Sequence, residues 1–110
     1  MDAVSLGEFE QVVLLAILRL GDKAYGVSIR EEIARCTDRH PSPGALYTTL
    51  DRLEERGLVT SRFGDPTPER GGRAKRYFHV SPEGIAAVAR IQQGYRRLLQ
   101  GVRLPRAAHA

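Results

Sequence analysis

The chain has few of the residues on which cross-links, cofactor sites and membrane spans depend. Its 110 residues include one cysteine, no tryptophan and three histidines. A single cysteine excludes an internal disulfide framework. The longest apolar run covers residues 12–18, far fewer than the roughly 20 residues that cross a bilayer. The start of the sequence lacks the basic residues of a signal peptide, so we expect a cytoplasmic protein.

The same scarcity argues against an enzyme. His40, His79 and His109 lie far apart, and none has a carboxylate or nucleophile at a spacing typical of catalysis. Cys36 lies four residues before His40, but two ligands do not make a metal site. We therefore expect no catalytic residue, no metal and no cofactor. We interpret Cys36 as a buried structural thiol, with a redox sensor as the alternative.

What the sequence does have is an ordinary globular composition with a positive charge. Hydrophobic residues make up 42% and charged residues 27%, which favours one folded domain with a modest core. The formal net charge is +4 at pH 7. This charge suggests an anionic partner, but it does not distinguish a nucleic acid from an acidic protein.

Apolar periodicity predicts four helices, at residues 6–20, 25–36, 43–56 and 82–102. The last two follow Ser-Pro pairs, which are typical of a helix N-cap and first turn. Alternating apolar residues predict two strands, at residues 58–63 and 74–80, with a connection rich in glycine and proline. The predicted fold class is mainly α with a small β-hairpin, in the order ααα-ββ-α.

This order is the layout of a winged helix-turn-helix. We expect residues 1–81 to form that domain, residues 82–102 to form a dimerisation helix packed on it, and residues 103–110 to be a disordered tail. The first helix is apolar almost all round. A domain of this size cannot bury both faces of a helix, so we expect one face to meet a second subunit.

The third predicted helix has a surface suited to reading DNA. Leu46, Leu50 and Leu53 define its buried face, and the opposite face starts with small uncharged residues that permit close approach to base edges. The candidate DNA contacts here are Ser42, Gly44, Ala45, Tyr47, Thr48, Thr49 and Arg52. Asp51 and Glu55 restrict the contact to the first two turns. The alternative is an ordinary amphipathic helix with a solvated outer face.

The predicted hairpin concentrates positive charge. It carries four cations and no carboxylate between positions 70 and 79. Arg70, Arg73 and Lys75 are the candidate contacts to the DNA backbone, and a solvated basic hairpin is the alternative. Strand alternation predicts that Phe78 and Val80 face the core.

The last predicted helix carries apolar residues at alternating steps of three and four, as in a short coiled-coil seam. The expected homodimer interface consists of Phe9, Val88, Ile91, Tyr95, Leu98 and Val102. The alternative is that this helix folds back on its own domain. A homodimer is suited to DNA binding, because two recognition helices about one DNA turn apart bind a palindrome with greater affinity than a single helix does.

Taken together, these segments resemble the PadR family of transcriptional regulators, especially its short subgroup with a single C-terminal helix. The resemblance extends over residues 6–99. It rests on Tyr-Gly at 25–26, Gly-Ala-Leu-Tyr at 44–47, Arg-Leu-Glu at 52–54, Gly-Leu-Val at 57–59, Gly-Arg-Ala-Lys-Arg-Tyr-Phe at 72–78 and Val-Ser-Pro-Glu-Gly at 80–84.

The resemblance implies a repressor that is dimeric through its C-terminal helix, with the third helix in the major groove and the wing cations Arg73 and Lys75 on the backbone. The chain departs from the family in two ways. Thr48 stands where proline is common, and there is no tryptophan to bind flat aromatic drugs at the dimer centre. Two modes of regulation are the alternatives here. A small hydrophobic effector could bind in a smaller pocket lined by Phe9 and Tyr95, or the protein could be controlled by its own concentration alone.

A winged helix that serves only protein–protein contact is the alternative from another class, with the basic wing docked on an acidic partner. Such a module usually carries apolar anchors on its third helix, and Ala45, Thr48 and Arg52 are poor anchors. The sequence therefore predicts a DNA-binding transcriptional regulator, with a palindromic operator and a homodimer as its mode of binding.

Overall fold

The computed structural model describes residues 4–65 and 74–105. Within them the elements follow in the order α1 (Glu8–Leu20), α2 (Gly26–Cys36), α3 (Pro43–Glu55), β1 (Val59–Phe63), β2 (Arg76–Val80) and α4 (Pro82–Leu99). A short 3-10 turn, Gly21–Lys23, joins α1 to α2. The predicted fold class, mainly α with one antiparallel hairpin in the order ααα-ββ-α, is confirmed.

Most predicted boundaries shift by one or two residues, and the end of α4 shifts more. This helix ends at Leu99 rather than at residue 102, because Gly101 adopts a φ of +76° that ends the helix and that glycine tolerates best. The predicted N-caps are confirmed, since Ser42 and Ser81 accept hydrogen bonds from the backbone N–H groups of Ala45 and Gly84. The predicted tail falls partly at 106–110, outside the described residues.

The hydrophobic core lies between α1, α2, α3 and β2. Leu46, Leu50 and Leu53 of α3 are fully buried, as their spacing predicts. Phe78 of β2 is also fully buried and belongs to the same cluster, and each such side chain contributes about 1.5–3 kcal/mol by leaving water. Because α3 is fixed by one face, its opposite face stays exposed to solvent.

The hairpin is joined to the helices along the outer edge of β2. Its two strands pair in antiparallel register, with Val59 opposite Val80. On the other side of β2, the Phe78 backbone N–H donates to the Ala24 carbonyl at 2.9 Å, and Tyr25 forms an isolated bridge with Tyr77. The segment that precedes α2 therefore extends the sheet and holds the hairpin against the helical body.

An ion-pair cluster on Glu32 joins α1 to α2. Arg35 and Arg19 both donate to this carboxylate, at 2.5 and 2.6 Å. These hydrogen bonds, that of Arg35 first, lower the pKa of Glu32 to about 2. Cys36 is exposed, so the prediction of a buried thiol is wrong. Cys36 follows the same helical face as the buried Ile33, but it is the last residue of α2 and lies beside the Glu32 carboxylate, 3.5 Å away, where solvent reaches it.

Gly26 of α2 and Tyr47 of α3 are in close contact. A Cβ atom placed on Gly26 would lie 2.2 Å from the Tyr47 hydroxyl oxygen and 2.8 Å from the ring carbon that bears it. The tyrosine ring therefore occupies the space that any side chain at position 26 would need. This contact sets the spacing of the two helices in the helix-turn-helix.

We expect Gly26→Ala to lower the free energy of unfolding by roughly 1–3 kcal/mol, because the added methyl group overpacks the contact with Tyr47. Urea denaturation followed by circular dichroism measures the change. Gly44→Ala is the matched control, since Gly44 also lies in a first helical turn but has open space around its Cβ position. Equal losses in both variants would contradict a specific contact at Gly26.

Candidate nucleic-acid interface

The outer face of α3 forms the first part of the candidate site. Gly44, Ala45, Thr48 and Arg52 are exposed, as the helical periodicity predicts. Ser42 is exposed as well, but its hydroxyl accepts the Ala45 N–H at 3.1 Å and so holds the first turn of the helix. The first two turns thus present small and neutral groups, with one cation following them.

Two predicted contacts on α3 lie in different surroundings from those expected. Thr49 is only 7% exposed, so its predicted contact with DNA is wrong. It lies three residues after Leu46 and four before Leu53, and it therefore falls within the buried stripe. Tyr47 keeps part of its ring exposed, but the ring tilts towards Phe78 at a centroid distance of 6.5 Å and its hydroxyl covers Gly26. We infer that Tyr47 acts first as a packing residue.

The hairpin forms the second part of the site. Lys75 is exposed just before β2, and its Nζ atom lies 4.4 Å from the centroid of the Tyr25 ring. Arg62 of β1 is a second exposed cation, 5.5 Å from the centroid of the Tyr77 ring. Sequence reasoning missed Arg62, although strand alternation places it on the face opposite to Val59 and Phe63, and this was a usable signal. The predicted contacts Arg70 and Arg73 lie outside the described residues.

Arg76 differs from Lys75 and Arg62 because its charge is paired with carboxylates within the described residues. Its Nη2 atom lies 2.6 Å from Oε1 of Glu54, and its Nη1 atom lies 3.6 Å from Oδ1 of Asp51. Asp51 is one of the two acidic residues because of which we expect DNA contact only along the first two turns of α3. The pairing with Arg76 offsets part of that negative charge.

The apolar face of α4 divides into a buried half and an exposed half. Val88 is buried in the core of its own domain, so its predicted place in a dimer interface is wrong. Ile91 is half-buried, whereas Tyr95 is 51% and Leu98 76% exposed. Val102 is exposed as well, but it lies beyond the end of the helix.

Phe9, the predicted interface residue on α1, packs against the core at the edge of a depression. The Arg39 guanidinium carbon lies 5.8 Å from the centroid of its ring. The depression measures about 360 Å³ and is lined by Phe9, Arg39, His40, Pro41 and Ala45. Tyr95 of the same chain is not one of its lining residues, and a pocket lined by Phe9 and Tyr95 at a dimer centre stays a prediction.

The remaining histidine of the sheet makes a contact within the protein. His79 Nε2 lies 3.2 Å from Asp22 Oδ1, a pairing across 57 positions that local spacing does not reveal. Within residues 4–65 and 74–105, no three histidine, cysteine, aspartate or glutamate side chains are grouped as metal ligands. No helix in the same ranges has both the length and the apolar character needed to cross a membrane.

Comparison with known proteins identifies the family. The sequence model of the transcriptional regulator PadR-like family matches residues 14–90. The chain belongs to the PadR-like family. A transcriptional regulator of Mycobacterium tuberculosis is 35% identical to this PadR-like chain over 83 residues, which are 74% of this chain and 71% of that protein.

Solved structures agree with this fold. A PadR family regulator from Clostridium difficile superposes with a TM-score of 0.68 and 21% identity over 84% of this chain and 92% of the other. A transcriptional regulator from Clostridium thermocellum gives a TM-score of 0.66 and 24% identity over 84% and 87%. The PadR-like protein is therefore a winged-helix transcriptional regulator and not an enzyme, and its family implies DNA-binding regulation.

The neighbouring threonines of α3 provide a matched test of which face meets DNA. We expect Thr48→Val to change the preference among duplexes that differ by single base pairs, by roughly 1 kcal/mol at the position it contacts. Thr49→Val should leave that preference unchanged, because the Thr49 side chain is buried. Competition binding with a set of substituted duplexes measures both. Similar effects from the two variants would show that the outer face of α3 does not read the bases.

Proposed function

We propose that this PadR-like regulator is a repressor that binds a palindromic operator as a homodimer, with α3 in the major groove and the hairpin at residues 58–80 as the wing. The exposed, small and neutral surface of the first two turns of α3 is the observation that carries the proposal. The domain at residues 1–81 would bind DNA, and the helix at residues 82–102 would join the two copies.

The depth of the major groove supports a direct role for α3. An α-helix fits into this groove, and small residues at its N-terminal end let the backbone approach the base edges. Gly44 and Ala45 provide that approach, and the Thr48 methyl group and hydroxyl provide contacts to a thymine methyl or a base edge. Arg52 follows one turn later, at a suitable place for a phosphate or a guanine.

The wing would supply contacts to the sugar-phosphate backbone. Lys75 and Arg62 keep their charges exposed, and both rest on tyrosine rings of the sheet that limit their freedom. Ordering these side chains in advance lowers the entropy lost on binding. Arg70 and Arg73 extend the same proposal on the basis of the sequence.

The exposed half of α4 supports pairing of two copies. Tyr95 and Leu98 expose apolar surface on one side of the helix, and Leu15 and Leu18 expose more on α1, against which α4 packs. Apolar surface of this kind is typical of an interface. We propose that α4 of each copy covers the exposed face of α1 of the other, with Phe9, Ile91, Tyr95, Leu98 and Val102 at or near the contact.

We propose that the protein represses transcription, because a DNA-binding domain joined to a pairing helix can act by occupying its operator. Such a regulator would act in the cytoplasm. For a small hydrophobic effector, we propose a cleft of about 220 Å³ between α1 and α2, whose mainly apolar lining includes Val12, Leu15, Ala16 and Ile33.

Fluorescence anisotropy tests the proposal, with the purified protein titrated against its own promoter fragment and a scrambled duplex at two salt concentrations. We expect tight binding that prefers the promoter and weakens on the order of a thousandfold between 50 and 200 mM salt. Weak binding to both duplexes would contradict an operator. The alternative, a winged helix whose basic wing docks an acidic protein, would then be favoured.

Lys75→Ala should weaken binding to every duplex by a similar factor and lower the slope of log affinity against log salt by about one unit, since one phosphate contact is lost. Anisotropy titrations at several salt concentrations measure the slope. Arg90→Ala removes an equally exposed cation from α4 and should leave the slope unchanged. An unchanged slope in the Lys75 variant would remove Lys75 from the interface.

Tyr95→Asp should dissociate the homodimer, because a carboxylate in an apolar contact loses its hydration without gaining a partner. Sedimentation velocity measures the oligomeric state. Gln93→Asp is the control, since residue 93 is exposed on the other side of α4 and its substitution should leave the dimer intact. A dimer that survives Tyr95→Asp would place the interface elsewhere.

A further inference from the structure

We propose that Arg76 is a positioning residue for DNA binding: its ion pair with Glu54 holds the wing at a fixed angle to α3, so that both elements meet one duplex together. The inference rests on the proposed function, in which α3 and the hairpin contact the same DNA. It assigns to Arg76 a task different from that of the exposed wing cations.

Three hydrogen bonds form a closed ring among α3, β1 and β2. Arg76 Nη2 donates to Glu54 Oε1 at 2.6 Å, and Arg76 Nε donates to the Ser61 hydroxyl at 3.2 Å. The Ser61 hydroxyl in turn donates to Glu54 Oε2 at 2.9 Å. Each of the three residues belongs to a different element, so the ring fixes the hairpin to the helix at two points.

The surroundings of this ring make it stronger than an ordinary surface ion pair. The side chains of Arg76 and Glu54 are only 29% and 34% exposed. The Arg76 guanidinium carbon lies 4.9 Å from the centroid of the buried Phe78 ring. Partial burial reduces screening by water, and the contact with the ring together with the hydrogen bonds limits the freedom of the guanidinium.

The same contacts make Arg76 a poor phosphate ligand. Its Nε and Nη2 atoms donate within the ring, and its Nη1 atom faces Asp51 at 3.6 Å. A phosphate would have to compete with two carboxylates for this guanidinium. Lys75 and Arg62 rest only on aromatic rings in the described structure and keep their charges available.

Substitution of Glu54 distinguishes a positioning role from a purely electrostatic effect, because the two predict opposite changes in the affinity for DNA. Glu54→Gln removes a negative charge beside the proposed interface and releases Arg76. If charge alone matters, this variant binds DNA more tightly. If the ion pair sets the angle of the wing, it binds the specific duplex more weakly, by roughly fivefold.

Anisotropy titrations of the full chain with its promoter duplex measure whether the affinity rises or falls. Glu55→Gln is the matched control, since it makes the same charge change on the same helix at an exposed residue that forms no salt bridge within the described ranges. It should bind as tightly as the unaltered protein or slightly more tightly. Urea denaturation confirms that each variant is folded at the temperature of the titration.

A second readout distinguishes positioning from a general loss of stability. In the Glu54→Gln background, Lys75→Ala should no longer change the salt slope, because the wing has left the backbone. Arg76→Lys keeps one charged hydrogen bond and should recover part of the affinity that Arg76→Gln loses. Ser61→Ala keeps both charges and should give a smaller loss in the same direction.

The possible results distinguish a failure of the positioning role from a failure of the proposed function. An unaltered protein that fails to bind its promoter duplex would overturn both. An unaltered protein that binds, together with a Glu54→Gln variant that binds equally or more tightly, would overturn the positioning role alone. Weaker binding by Glu54→Gln, with Glu55→Gln unaffected and the Lys75 contribution lost, would establish it.

Discussion

Phe78 lies where the hairpin meets the helices, and the placement of α3 and the hairpin relative to each other depends on its burial. Its side chain fills the core beside the leucines of α3, and its backbone N–H binds the segment that leads into α2. One residue thus belongs to the core, to the sheet and to the connection between helices. Because interiors are closely packed, the hairpin cannot move independently of α3 at this point.

Positive charge in this protein has two separate uses. Lys75 and Arg62 keep their charges at the surface, whereas Arg76 pairs with Glu54, and Arg19 and Arg35 pair with Glu32, to join elements to one another. Net charge counts all of these cations alike. The structure shows which of them are exposed without a salt bridge in the described residues and which join elements of the fold.

Periodicity and cap signals were sufficient to predict the order of elements and the buried face of α3, because both depend on neighbours in the sequence. The same reasoning misplaced Thr49 and Val88, since a helical period gives the direction of a buried stripe but not its width. It missed the pairing of Arg76 with Glu54, which are 22 positions apart, because only tertiary packing brings them together.

The close contact between Gly26 and Tyr47 constrains how this sequence can change over evolutionary time. A side chain at position 26 fits only if the tyrosine ring shifts. A larger residue at 26 therefore costs least stability after a smaller one has replaced Tyr47, and that first change opens a gap against Phe78. The two positions form a coupled pair, in which the order of substitutions decides how much stability is lost along the path between two sequences.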